Sequence, residues 1–104
     1  MNQEEIIKFI TGRFSQSFRG AIQNLRYYSQ GGDVLYRDAF WRCIGLCSAQ
    51  ADILFAFPCE LTDGMGLRGR SNTMHAQVEK LKAIFNQQEA TKRADLSRLG
   101  PITL

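Results

Sequence analysis

Near the amino end, apolar side chains recur with a spacing that leaves little choice of local structure. Ile7, Ile10, Phe14, Phe18, Ala21, Leu25 and Tyr28 follow one another at steps of three and four, a period that aligns them on one face of an α-helix and scatters them over both faces of a strand. A helix over about residues 3–29 is therefore predicted. Asn2, with Glu5 three positions on, resembles a capping box at its start, and Gly31-Gly32-Asp33 offers an exit glycine followed by the N-cap of a second helix. Gly12 and Gly20 each weaken the interior by up to about 1 kcal/mol relative to alanine, a loss that close packing of another helix would explain.

The second predicted helix, about residues 34–57, is apolar on most sides. Ala39, Phe40, Cys43, Ile44, Cys47, Ala51 and Leu54 form one side, and Trp41, Leu46, Ile53 and Phe55 spread around the rest, so the helix must be covered in several directions. Its least apolar strip carries Asp38, Gly45, Ala49, Asp52 and Ala56, small residues among carboxylates where another helix can come close. Pro58 ends it. A third helix, about residues 72–95, is capped by one of Ser71, Asn72 and Thr73 and turns Met74, Val78, Leu81, Ile84 and Phe85 inward. Gln88 and Lys92 occupy the next apolar positions, so its end is expected in solvent before Leu96 and Leu99, with Gly100-Pro101 as the stop.

With 104 residues there is room for one domain, and the reading is all-α: a bundle of three long helices spanning residues 1–104, completed by dimerisation. Ten of the eleven aromatic residues precede residue 58, which assigns most of the core to the first half. The longest apolar run, Ile53 to Cys59 broken by Pro58, falls far short of the roughly 20 residues of a membrane span. The opening Met1-Asn2-Gln3-Glu4-Glu5 is acidic where an export signal is basic, and three cysteines are an odd number. Reduced thiols and a cytoplasmic setting, with no membrane contact, are the expectation.

Charge is mildly basic, at +3 with a pI near 9.0. Its distribution is more informative, because no acidic residue lies between Asp63 and Glu79 while Arg68 and Arg70 do. The connection over residues 58–71 is long for a bundle and rich in glycine, which makes it the expected functional loop. Glycines admit a ligand to the backbone, and a helix starting near Ser71 with no carboxylate in its first turn offers free N–H groups to an anion. Arg68, Arg70, Ser71 and Asn72 are accordingly candidates for binding a partner or an anion. Lys8, Arg19 and Arg26 fall in a narrow strip of the first helix and are candidates for tracking phosphates. Phe9 and Tyr27, on the side of that helix away from its main stripe with Gly20 between them, mark a surface for self-association.

Other chemistry finds less support. Cys43, Cys47, Cys59 and His75 include no tight-turn ligand pair of the Cys-x2-Cys kind, so no metal is expected and the thiols are read as core. No cofactor is expected either. Asp52 with Gln50 is read as a polar pair fixing helix register. Within the basic segment, the Arg70-x4-His75 spacing at the mouth of a helix resembles the motif of HEPN-type helical ribonucleases, with Ser71 where Asn or Asp would follow the arginine. That resemblance implies two motifs meeting across a dimer, with His75 in acid–base chemistry on a 2′-hydroxyl and Arg70 on the phosphate. The residues themselves favour a small non-enzymatic interaction or regulatory protein, a homodimer that binds another macromolecule. A nucleic-acid-associated protein using the basic segment and the HEPN-like ribonuclease are the alternatives.

Overall fold

The computed structural model describes residues 3–56, 67–91 and 96–100, which are helical throughout apart from the short connections: α1 (Gln3–Gly31), α2 (Val34–Phe55), α3 (Leu67–Thr91) and a 3-10 turn, Leu96–Leu99. The turn from α1 into α2 follows the residues that the sequence places there. Gly32 takes φ +70, its N–H donates to Tyr28 O at 2.8 Å, and Asp33 then caps α2 by accepting from Leu35 N at 2.9 Å. A left-handed residue without a Cβ closes one helix, and a short carboxylate satisfies an orphan N–H of the next.

These caps fold α1 and α2 into an antiparallel hairpin. Tyr27 meets Tyr36 with ring centroids 5.1 Å apart, a Cβ at Gly20 would lie 3.3 Å from Cys43 Sγ, and Cys47 Sγ lies 4.0 Å from Phe14 O. Gly20 thus marks the close approach of two helices. α3 then runs antiparallel to α2, as Ser71 against Ala51 and Phe85 against Phe40 show. Tyr28 touches Phe85 and donates to Glu89 Oε1 at 2.7 Å, so α3 runs parallel to α1. The result is an up-down-up bundle 46 × 23 × 18 Å in extent.

The α1 stripe is buried over its full length, from Ile7 to Tyr28. One ring from each helix joins a stack, Tyr28 on Phe85 and Phe85 on Phe40, with interplanar angles of 12° and 11°. Phe85, the single aromatic of the second half, therefore stands at the junction of all three helices. Among the described residues most of the buried apolar side chains come from the first half, as its aromatic content leads one to expect, and Met74, Val78, Leu81, Ile84, Phe85 and Leu99 complete the core from the second. Gln88 departs from expectation as well. It is buried rather than solvated, on a helix against which the 3-10 turn packs back and buries Leu99. Lys92 lies outside the described residues, as do Asn2, Pro58 and Cys59.

Two boundaries shift. α3 begins at Leu67, not near residue 72, so Arg68, Arg70, Ser71 and Asn72 belong to its opening turns and not to a loop. Packing extends it: the Ser71 hydroxyl is fully buried and donates to Ala51 O at 2.7 Å, and Arg68 lies over the Phe55 ring at 5.8 Å. α2 ends at Phe55 with Ala56 as its cap. Of the expected functional loop 58–71, residues 58–66 lie outside the described residues.

Candidate functional site

Three surfaces bring candidate residues together. The first is the outward side of α1, where Lys8, Arg19 and Arg26 are all exposed. With Arg13 they make four cations between Ile6 and Gly31, and no carboxylate falls in that interval. A shallow groove of about 530 Å³ runs along this face between Arg19, Arg26, Gln23 and Gln30, floored by Ile22 and Tyr27. All of its walls come from one helix, so the arginines are held by α1 alone and keep their reach into solvent.

The second surface is the amino end of α3. Arg68 and Arg70 are exposed, and so is Asn72, but Ser71 has no exposed surface. As a candidate for anion binding Ser71 is withdrawn, because its hydroxyl is committed to Ala51 and sealed between α2 and α3. The helix start moves with it, to Leu67, so the N–H groups of Ser71 and Asn72 lie beyond the first four residues and are taken into the helical ladder. Arg68 is engaged by the face of Phe55.

His75 Nε2 lies 3.0 Å from Asp52 Oδ1, joining α3 to α2 across a partly exposed site. Asp52 is thus an exposed acceptor for histidine, which replaces the expected polar pair with Gln50. Arg70 and His75, the two positions of the HEPN-like motif, are five residues apart on one continuous helix and so point about 140° apart at about 100° per residue. One chain does not converge them on a single phosphate. Among the described residues no cluster of three or more potential metal ligands occurs. Cys43 and Cys47 both lie against α1; burial pushes the Cys43 thiol up, and burial with Cys43 beside it pushes Cys47 up to about 12. A thiol held in that way is neutral and unreactive at physiological pH.

The third surface was not assembled from the sequence. Phe9 is 58% exposed with Arg13 over its ring, while Tyr27 is partly covered by Tyr36 and accepts from Gln23 Nε2. Eighteen residues separate them, about 27 Å along the helix, and Gly20 between them faces α2. They do not form one patch. The large exposed apolar side chains are concentrated on α2: Val34, Leu35, Trp41, Leu46, Ile53 and Phe55. The hairpin register, with Tyr27 level with Tyr36 and Gly20 with Cys43, also puts Phe9 level with Ile53. The signal for this surface was present in the strip of Asp38, Gly45, Ala49, Asp52 and Ala56, all of them exposed although α3 reaches Asp52 through His75.

Compared with known proteins, the chain matches no family model, no curated protein and no solved structure.

Proposed function

We propose that this chain is a non-enzymatic helical interaction protein that works as a homodimer and binds a further macromolecule. The observation that carries the reading is the side of α2 turned away from its buried stripe, where Val34, Leu35, Leu46 and Ile53 are 47–68% exposed, while Trp41 and Phe55, also exposed in part, lie toward Phe85 and Arg68 of α3. Scattered exposed apolar residues need no explanation, but four on the outward side of one helix of 22 residues form a surface that water solvates poorly and a protein partner would cover. Sedimentation equilibrium across a wide concentration range tests it. Reversible self-association is the expected outcome, and a monomer at every concentration would remove the reading.

A second reading is supported by the outward face of α1. Three cations in one strip, Lys8, Arg19 and Arg26, with no carboxylate between Ile6 and Gly31, fit a polyanion, and with Arg68, Arg70 and Asn72 they are the residues it would use. Nucleic acid held by three such contacts should lose affinity about 40-fold between 50 and 200 mM salt, since duplex binding falls with a slope of about −0.9 per phosphate neutralised. Fluorescence anisotropy with duplexes of arbitrary sequence measures that slope. A flat salt dependence favours a protein partner for the α1 face. His75→Ala addresses the ribonuclease alternative separately, because cleavage by the native chain that disappears in this variant would assign His75 to chemistry.

A further inference from the structure

We propose that a second copy of this chain docks on the outward face of α2, the two α2 helices running antiparallel and meeting most closely at Gly45. The proposal rests on the homodimer reading above and gives it a surface, an orientation and a register.

α2 carries two seams. Phe40, Ile44, Cys47, Ala51 and Leu54 are buried against the rest of the bundle. On the other side Leu35, Ala39, Arg42, Leu46, Ala49 and Ile53 follow one another at alternating steps of four and three, the pattern of a coiled-coil seam. Ala39 is half-buried, and among the described residues Leu35, Arg42, Leu46, Ala49 and Ile53 of this second seam stay exposed.

Gly45 lies on its edge, in the middle of the helix, where glycine is weaker than alanine. Its backbone does not require glycine, since positive φ occurs only at Gly32 and Gly100 among the described glycines, and a Cβ added at Gly45 would meet nothing within 4 Å. Gly20, the other glycine of the hairpin interior, is accounted for by Cys43 3.3 Å away. Gly12 and Gly69 are as open as Gly45, but each sits among cations, Lys8 and Arg19 near one and Arg68 and Arg70 beside the other. Gly45 has one such neighbour, Arg42, and beside it Leu46 and Ala49, a more apolar setting in which a second helix comes close.

The composition of the seam selects the orientation. Parallel pairing in register would set Arg42 directly against Arg42 of the second copy, in the seam itself. Antiparallel pairing sets Leu35 opposite Ile53 of the second copy, Ala39 opposite Ala49 and Arg42 opposite Leu46. Large residues then meet large ones at both ends and small ones meet between them, while the stem of Arg42 covers Leu46 and its guanidinium reaches water. The two-fold axis falls beside Gly45, which faces its own copy. The flanking carboxylates Asp38 and Asp52 approach one another across this interface, and each is held by a basic side chain of its own chain, Arg37 at 3.6 Å and His75 at 3.0 Å.

A helix of this length is about 33 Å long and about 10–12 Å across. Pairing it with a copy buries on the order of 1,000 Å² in total, near the lower bound of a specific interface. The dimer should accordingly dissociate on dilution.

The test is sedimentation equilibrium of the full chain, alone and as Gly45→Gln, with circular dichroism on both and a separate Gly45→Cys variant under mild oxidation. Glutamine is a good helix former with open space around it, so the variant should keep the helical signal while self-association weakens by about tenfold or more. Gly45→Cys should form a dimer joined through position 45 of both copies, located by peptide mass spectrometry; this readout serves equally if Gly45→Gln does not fold. A native chain that stays monomeric overturns the homodimer reading and this proposal together. A native dimer that Gly45→Gln leaves unweakened overturns only the α2 placement, and a dimer that Gly45→Cys does not cross-link overturns the antiparallel register.

Discussion

Cys47 shows how burial converts a reactive group into a packing atom. Its side chain has no exposed surface, and its thiol is raised from 9.0 to about 12, first by loss of solvation and then by Cys43. A folded-state value above the unfolded one means that the folded chain holds this proton longer. The stability it represents is whole below about pH 9 and is lost as pH rises from there toward 12. Cys47→Ala should therefore flatten the decline of melting temperature between pH 8.5 and 10.5, and in the native chain Cys47 should react with a thiol reagent at pH 8 only as fast as the protein unfolds. Gln77 poses the opposite case, since it is 6% exposed and its Oε1 has no hydrogen-bond partner among the described residues, as is also true of Gln88 Oε1. An unsatisfied buried oxygen costs about 1–3 kcal/mol, and an apolar residue of similar shape removes that cost. Gln77→Met is expected to raise stability by about 1 kcal/mol in urea unfolding; a loss would show that the amide is used.

Within α1 the two interior glycines have different reasons to be there. A Cβ at Gly12 meets nothing within 4 Å, while at Gly20 it meets Cys43 Sγ at 3.3 Å. Gly12→Ala should thus deliver the full helical gain of up to about 1 kcal/mol. At Gly20 the same gain is offset by displacement of Cys43, so Gly20→Ala should be close to neutral and Gly20→Leu, which must push α2 away, should lose several kcal/mol, about what overpacking costs at its upper end. Urea denaturation of the three variants checks the order. An equal gain at both glycines would mean that α1 and α2 do not approach one another at Gly20.

Phe85 belongs to the whole molecule because its ring is stacked between rings from the other two helices. Phe85→Ala should cost about 3–5 kcal/mol, a large part of the total stability of a chain this size. Arg68→Ala with Arg70→Ala should leave the melting temperature nearly unchanged, within about 0.5 kcal/mol for each exposed site, apart from what Arg68 contributes over Phe55. If that pair melted the bundle as Phe85→Ala does, the amino end of α3 would be a structural strut and not an accessible surface.

The helices, the α1 stripe and the Gly32–Asp33 turn were legible in the amino-acid sequence, because helical periodicity and capping are decided by residues within a few positions of one another. Tertiary structure alone decided the rest. Ser71 reads as a cap until Ala51, twenty residues away, takes its hydroxyl; Asp52 reads as a register-fixing polar group until His75 reaches it. Gln88 reads as solvated, yet it is buried on the helix against which the 3-10 turn packs. On α2, apolar on most sides, composition shows that partners are needed but not which side α1 and α3 take. Burial is fixed by which faces meet, and that depends on contacts between residues distant in the chain, which no local pattern specifies.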